Sequence, residues 1–183
     1  MAGDAYENKW KDSLKEKFPQ YFKHKRILDV GSANINGTNE KWFECCRYIG
    51  LDVLPYKNVD IVSIAHEYQA LNESFDVVCS TSELEHDKFW DLTLKKMVQL
   101  LKPNGLMWFA CASLKRPEHG TMEHNPSDSL TTKINDPEWE TYYKNINIED
   151  VKSVLDINAI FSEHEIKYSE DEMTLYFWGV KKS

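Results

Sequence analysis

Two histidines, His119 and His124, lie in a long polar and aromatic segment and are the first candidates for chemistry. A neutral imidazole accepts a proton near pH 7, so either side chain could act as a general base. The segment runs from Leu114 to Asn145, and a connection of this length inside a compact domain is usually functional or disordered. Its histidines and aromatic residues favour function, and we predict that residues 113–147 cap an active site. The alternative is that the histidines only form hydrogen bonds that hold the segment closed.

The same segment carries other side chains that could contact a ligand. The aromatic residues that could form a wall against an acceptor are Trp139, Tyr142 and Tyr143, although core packing explains the two tyrosines equally well. His119, His124 and Asp128 could instead bind a divalent cation that lowers the pKa of an acceptor hydroxyl. Their spacing is irregular, so the sequence predicts no metal site.

A bare turn in the sequence RILDVGSANINGT, Arg26–Thr38, is the second feature that could serve a ligand. Gly31 allows a backbone conformation that bulkier residues avoid and lets ligand atoms approach closely. Asp52 ends the next apolar run about 20 residues later, where an acid can accept hydrogen bonds from a ribose diol. A plain turn would explain Gly31 and a surface acid would explain Asp52, but the two features together indicate a ligand site more specifically than either one alone.

Seven strand-like runs and three helices must position these residues. The runs that predict strands are Arg26–Val30, Tyr48–Val53, Val59–Ile64, Phe75–Ser80, Leu106–Ala112, Phe161–Tyr168 and Thr174–Lys181. The apolar periodicity and the end signals predict helices over Ala5–Lys17, Asp87–Leu101 and Ile148–Asn158, the last with Asn147 as N-cap.

The order of these elements predicts an α/β fold. Most of the early runs are almost continuously apolar, which is typical of strands that are covered on both faces of a mostly parallel sheet. Only Leu54–Asn58 separate the second and third runs, too few for a helical crossover, so we predict that the third run is a stub at the sheet edge. The short linker SEDEM predicts an antiparallel hairpin at the C-terminal end.

Composition restricts the class of protein. A chain of 183 residues with 42% hydrophobic and 13% aromatic residues is typical of one folded domain. The net charge of −8 argues against an extended nucleic-acid surface. No apolar run approaches a membrane span, the charged N-terminus is unlike a signal peptide, and the four cysteines follow no metal or redox spacing. We therefore predict a cytoplasmic protein with reduced thiols, and the sequence leaves its oligomeric state open.

Five stretches in order carry a family resemblance: ILDVGSANINGT, GLDV, VDIVSIAHEY, SFDVVCSTSELEHD and LLKPNGLMWF. From about Arg26 to Ala112 they resemble the successive motifs of class I S-adenosylmethionine-dependent methyltransferases, and the type-11 group most closely. The resemblance implies a Rossmann-like, mostly parallel sheet with an antiparallel C-terminal strand, helices on both faces and a shortened connection between strands 2 and 3. It also implies S-adenosyl-L-methionine as cofactor, with S-adenosyl-L-homocysteine as product.

The resemblance assigns roles to residues at matching positions. The residues that it places around the cofactor are Asp29, Gly31, Ser32, Ala33, Asp52, Val53, Ala65, His66, Ser80 and Thr81. Glu85 belongs to the LEH stretch that opens the next helix in this group, and we place it among the substrate-binding residues. The chain departs from the pattern at Ala33 and Ile35, where the first motif of the family usually has more glycines. It departs again at Ile64, where an aspartate often contacts the adenine amine.

We therefore predict a methyltransferase that acts on an oxygen of a sugar-like or other small polar acceptor. One alternative is a non-catalytic module of the same fold that keeps the cofactor, which the departure at Ile64 favours. A nicotinamide-dependent oxidoreductase fits less well, because a pyrophosphate loop needs G-x-G-x-x-G and the chain offers only Gly31 and Gly37.

Overall fold

The computed structural model describes residues 5–183, which contain a seven-stranded sheet with the order β3-β2-β1-β4-β5-β7-β6. The strands are β1 (Arg26–Val30), β2 (Arg47–Asp52), β3 (Ile61–Val62), β4 (Phe75–Thr81), β5 (Leu101–Ala112), β6 (Phe161–Tyr168) and β7 (Thr174–Lys181). The α-helices are α1 (Ala5–Lys17), α2 (Trp90–Leu100), α3 (Pro137–Glu140), α4 (Ile148–Val154) and α5 (Ile157–Ile160). Strands β1 to β5 pair in parallel, whereas β7 pairs antiparallel with β5 and β6. The predicted fold class is confirmed.

Both faces of the sheet are covered, which is why its central strands are apolar at successive positions. Side chains alternate along a strand, so Trp108 faces a cluster with Trp10 of α1, and Phe109 faces a cluster with Met97 of α2. Trp10 also stacks on Tyr176 of β7, with the ring centroids 4.6 Å apart. The N-terminal helix therefore covers one face, and α2 and α4 cover the other.

Two predicted helices have different bounds in the structure. Helix α2 begins at Trp90 instead of Asp87, because the Asp87 carboxylate accepts the Phe89 N–H at 2.8 Å and holds the preceding residues in turns. The predicted helix Ile148–Asn158 is divided, because Leu155 is extended and Asp156 caps α5 by accepting the Ala159 N–H. Asn147 is the N-cap of α4, as predicted, and forms a capping box with Asp150.

Four predicted strands have different bounds in the structure: β2 and β4 differ by one residue at one or both ends, and β3 and β5 differ by more. Strand β5 begins at Leu101 rather than Leu106, and its pairing with β4 is irregular until Val77 pairs with Leu106. The third run is reduced to the two residues of β3 at the sheet edge, as the short connection predicts. There the Asp60 carboxylate accepts the Gly50 N–H at 2.8 Å. This hydrogen bond holds the short connection between β2 and β3 against β2, in place of a crossover helix.

Within residues 5–183, no helix is long and apolar enough to cross a membrane.

Candidate active site

A cavity of about 930 Å³ opens at the C-terminal ends of β1, β2 and β4. Strand order reverses between β1 and β4, and parallel sheets of this kind bind ligands at such a point. The volume lies in the range of small-molecule sites. Predicted site residues that line the cavity are Asp29, Gly31, Ser32, Ala33, Asp52, Val53, Thr81, Glu85 and His119.

The turn after β1 requires glycine at its first position. Gly31 has a φ of +75°, and a Cβ added there would lie 2.2 Å from both Cβ and Cγ of Glu83. The close approach that the sequence predicts therefore exists, but the aliphatic part of Glu83 makes it in this structure. Glu83 is one of the residues that line the cavity, and its Oε2 atom is buried with no hydrogen-bond partner among the described residues.

Asp52 turns its carboxylate toward the residues of this turn. Its Oδ2 accepts the Ala33 N–H at 3.0 Å, and its Oδ1 accepts the Val53 N–H at 2.7 Å. Burial raises the pKa of Asp52 to about 6, although these two N–H groups oppose the rise, and Asp29 adds repulsion. A carboxylate held in this way keeps further lone pairs for hydroxyl donors in the cavity.

Asp29 is 2% exposed and already has partners on other elements. Its oxygens accept hydrogen bonds from the Tyr48 hydroxyl and from the Asn39 amide nitrogen, the latter at 3.0 Å. Asn39 also donates to the Thr81 hydroxyl at 2.9 Å, so this amide joins the ends of β1 and β4. Burial raises the pKa of Asp29, and the hydrogen bonds from Tyr48 and Asn39 oppose that rise.

Glu85, His86 and His119 come together on another part of the cavity lining. The rings of His86 and His119 are 5.1 Å apart, and both pack against the Tyr143 ring. The Nδ1 atom of His119 lies 3.1 Å from the Pro117 carbonyl oxygen. Burial raises the pKa of Glu85 to about 7, lowers that of His86 to about 3, and lowers that of His119.

Seven predicted site residues lie outside the cavity lining. Ser80 is fully buried, Ala65 packs in the core, and the His66 ring lies 4.7 Å from Phe89. His124 is exposed, and its Nδ1 lies 3.1 Å from a Glu118 carboxylate oxygen. The remaining three are aromatic: Trp139 packs on Phe89, Tyr142 is partly buried and its pKa is raised to about 12 by burial, and Tyr143 donates its hydroxyl to Pro117.

Several lining residues were not predicted from the sequence. The most informative are Glu7 and Lys11 on α1, Asn39 after the first turn, Glu83 before α2, and Arg116 after β5. Glu7 and Lys11 form a buried ion pair of 2.6 Å. The sequence contained a sign of their burial, because their spacing places them on the same face of the helix as Leu14 and Phe18. Arg116 and Asn39 follow from tertiary contacts, which local periodicity does not encode.

Four acidic residues of the cavity lining, which we call the acidic floor, lie close to one another: Asp29, Asp52, Glu83 and Glu85. Burial raises the pKa of Glu83 well above its usual range, and repulsion from nearby carboxylates adds to the rise; these belong to Asp87, Asp52, Glu85 and Asp29. A cationic ligand would relieve this repulsion.

The sequence also matches a protein-family model. The model, described as a methyltransferase domain, matches residues 3–166. A search of curated proteins found no match.

Solved structures similar to this one include several methyltransferases. The Haemonchus contortus phosphoethanolamine N-methyltransferase 2, solved with phosphomonomethylethanolamine and S-adenosylhomocysteine, has a TM-score of 0.62 and 16% identity. The match covers 96% of this chain but 53% of that one, so the chain spans about half of its length. A Burkholderia thailandensis 1,6-didemethyltoxoflavin-N1-methyltransferase, solved with 1,6-didemethyltoxoflavin and S-adenosylhomocysteine, has a TM-score of 0.65 and 13% identity over 99% of this chain and 80% of that one. The PH0226 protein of Pyrococcus horikoshii OT3 has a TM-score of 0.62 and 14% identity over 99% of this chain and 93% of that one.

Proposed function

We propose a function from the premise that the chain belongs to the methyltransferase-domain family, whose model matches residues 3–166. In this proposal it transfers a methyl group from S-adenosyl-L-methionine to an oxygen of a sugar-like or other small polar acceptor. Two similar structures contain S-adenosylhomocysteine, the product that such a transfer leaves. The methyltransferase match also favours this function over a nicotinamide-dependent oxidoreductase.

The observation that carries the proposal is the position of Asp52 opposite the bare turn after β1. Both border one cavity at the reversal point of the sheet, and the Ala33 N–H fixes the carboxylate at 3.0 Å. The residues fit the cofactor chemically, because a partly buried carboxylate can accept hydrogen bonds from a ribose diol. The unpartnered Oε2 of Glu83 and the acidic floor suit a ligand with an ammonium and a sulfonium charge.

Each lining residue then has a proposed task at the cofactor end. Asp52 holds the ribose, Val53 contacts the adenine, and the methionine part lies beside the turn from Gly31 to Ala33 and beside Glu83, whose aliphatic part packs on Gly31. Asp29 acts through Asn39, which it orients toward Thr81. The predicted contacts of Ala65, His66 and Ser80 stay predictions. When bound, the cofactor supplies a methyl group that is electrophilic because it is attached to a sulfonium.

At the acceptor end, His119 is the histidine that we propose as general base. Its Nδ1 lies 3.1 Å from the Pro117 carbonyl oxygen, and a carbonyl only accepts, so the proton is on Nδ1 and the Nε2 lone pair is free. That atom could take the proton of an acceptor hydroxyl as the oxygen attacks the methyl group. His124 is exposed and its Nδ1 lies near a Glu118 carboxylate, so its role as base stays a prediction and we propose His119 first.

Calorimetric titration with S-adenosylmethionine and S-adenosylhomocysteine tests the cofactor half of the proposal. We expect one site for each, with weaker binding to Asp52→Ala and unchanged binding to Asp60→Ala. Asp60 is the matched control because it also accepts a backbone N–H of β2 but lies outside the cavity lining. No binding of either compound at high micromolar concentration would overturn the proposal. If the cofactor binds but a library of hydroxylated acceptors gives no labelled product, the non-catalytic alternative is favoured.

A further inference from the structure

Glu85, His86 and His119 each offer one ligand atom, and these three atoms all lie within 4.8 Å of one another. The three side chains line the same cavity. We propose that they form a binding site for a divalent transition-metal ion. The site lies beside the position that the proposed function gives to the acceptor, and its role in methyl transfer rests on that function. The cation binding itself does not.

Two of the three side chains contain buried atoms without a partner. Glu85 is 1% exposed and His86 is 3% exposed. Within residues 5–183, the Oε2 atom of Glu85 and the Nδ1 atom of His86 have no hydrogen-bond partner. An unsatisfied buried polar atom is costly, and most such atoms in folded proteins have a protein or water partner. A cation between these residues would satisfy the carboxylate and the imidazole together.

The third side chain is oriented as metal-binding histidines usually are. His119 donates its Nδ1 proton to the Pro117 carbonyl, and this contact leaves Nε2 as an unprotonated donor for a metal. Tyr143 supports the arrangement, because its hydroxyl donates to the same carbonyl at 3.2 Å and its ring lies 5.2 Å from the His119 ring. A backbone carbonyl and an aromatic ring thus both contact the His119 ring.

The residue after His119 permits the close packing of this group. Gly120 has a φ of +63°, and an added Cβ would lie 2.6 Å from Cε1 of His86. Only glycine therefore lets the segment that carries His119 approach the His86 ring so closely. The approach brings a residue of the long cap segment against two residues that precede α2.

The ligand set indicates which cations would bind. Two imidazoles and one carboxylate suit Zn²⁺, Mn²⁺, Co²⁺ or Fe²⁺, whereas Mg²⁺ and Ca²⁺ prefer oxygen ligands alone. Three protein ligands also leave coordination positions open toward the cavity. An acceptor hydroxyl in an open position would have a lowered pKa and would lose its proton to water. With a cation bound, His119 is a ligand, and its role as base applies only to the chain without the ion.

A neighbouring group supplies the matched control. Glu118, Glu123 and His124 also have ligand atoms close together, but all three are exposed, and the His124 Nδ1 already contacts Glu118. We therefore propose no site there. His124 lies in the same segment as His119, so His124→Gln tests whether any histidine of that segment suffices.

The test is a titration of the chelator-treated chain with MnCl₂, CoCl₂, ZnCl₂ and MgCl₂. Calorimetry should show one site for the first three salts and much weaker binding of Mg²⁺. The absorption spectrum of bound Co²⁺ should show imidazole ligation. We expect Glu85→Gln and His119→Gln to weaken Mn²⁺ binding by at least about 10- to 100-fold, because the loss of an outer hydrogen-bond partner of a metal ligand already has an effect of that size. His124→Gln should leave it unchanged. His119→Gln changes a partly exposed side chain, so it keeps the test decisive if Glu85→Gln does not fold.

Three outcomes would overturn the inference: no stoichiometric binding of any of the first three cations, an unchanged affinity in His119→Gln, or a loss confined to His124→Gln. A parallel titration of the metal-free chain with S-adenosylhomocysteine separates this inference from the proposed function. Cofactor binding without cation binding overturns the metal site alone. Cation binding without cofactor binding overturns the proposed function and supports the metal site.

Discussion

Replacing Asp52 with asparagine should stabilise the free chain and at the same time weaken its binding of the cofactor. The folded chain holds this carboxylate partly buried at the cavity, where desolvation raises its pKa to about 6 from the ordinary 3.8. At neutral pH the ionised form is therefore less favourable in the folded than in the unfolded chain. Asparagine removes the charge and keeps the shape.

The size of the effect follows from the pKa difference. The rise of the Asp52 pKa from 3.8 to about 6 corresponds to a cost of about 3 kcal/mol for the ionised group at pH 7.5. The amide has one oxygen to accept the Ala33 and Val53 N–H groups, so the variant loses one hydrogen bond worth about 1 kcal/mol. The expected net gain is about 2 kcal/mol, or roughly 4 to 8 °C in melting temperature for a chain of this size.

The pH dependence has a definite sign. As the pH falls through 6, the folded chain takes up a proton on Asp52 before the unfolded chain does, so the unmodified chain gains stability relative to the variant. At pH 4 the cost of the ionised group falls below about 1 kcal/mol. The advantage of Asp52→Asn should therefore be present at pH 7.5 and absent or reversed at pH 4.

The assay is thermal unfolding of both chains from pH 4 to pH 8, with calorimetry of S-adenosylhomocysteine binding at pH 7.5. Loss of hydrogen bonds from a charged acceptor predicts about 10- to 100-fold weaker binding. Asp60→Asn is the control, and it should neither raise the melting temperature nor change the affinity. A lower melting temperature for Asp52→Asn at pH 7.5, or a difference between the two chains that does not change with pH, would refute the reasoning.

Two further substitution pairs test the structure. Gly31→Ala should lower the free energy of unfolding by about 2 to 4 kcal/mol, because the new Cβ clashes with Glu83. Gly37→Ala should lower it by about 1 kcal/mol, because a φ of +135° is strained for alanine although no atom lies nearby. Equal losses for the two variants in urea denaturation would contradict the predicted clash. Trp10→Ala should lower the free energy of unfolding by about 3 to 5 kcal/mol, because it leaves a cavity between α1 and the sheet. Leu71→Ala changes a side chain that is 84% exposed and should change the free energy of unfolding by less than about 0.5 kcal/mol. Similar denaturation midpoints for Trp10→Ala and the unmodified chain would show that α1 does not stabilise the fold.

Much of the fold could be predicted because burial on both faces leaves a simple mark on a strand. Residues 77–79 and 106–112 are apolar in succession because each side of the sheet has its own cluster. Helix α1 and the hairpin of β6 and β7 were predicted with the bounds that the structure has. These elements depend on periodicity and on turn residues that are close together in the sequence.

The errors have a common physical origin in side-chain caps and in tertiary pairing. Asp87 resembles a helix-start acid in the sequence, but its carboxylate caps a turn that precedes Trp90. Asp156 divides an otherwise continuous helical pattern by capping a new helix. The stretch KPNG follows the end of α2 and contains the helix breakers Pro103 and Gly105, yet it lies within β5 because Leu101 pairs with Phe75.

The site was predictable where chemistry follows the end of a strand. Asp29, Asp52 and Thr81 line the cavity because parallel strands end at one edge of the sheet. Glu83 and Arg116 required knowledge of how loops fold over that edge. The roles of all predicted site residues, the single-domain organisation and the cytoplasmic location stay predictions.

The ion pair of Glu7 and Lys11 joins the outer helix to the ligand cavity. Because α1 provides both a wall of the cavity and the cover of one sheet face, occupancy of the cavity and docking of the helix are thermodynamically linked. A ligand that contacts this pair must therefore slow amide hydrogen exchange along α1. Because the coupling is reciprocal, detachment of α1 must weaken binding of the ligand by the factor by which the bound ligand favours docking of α1.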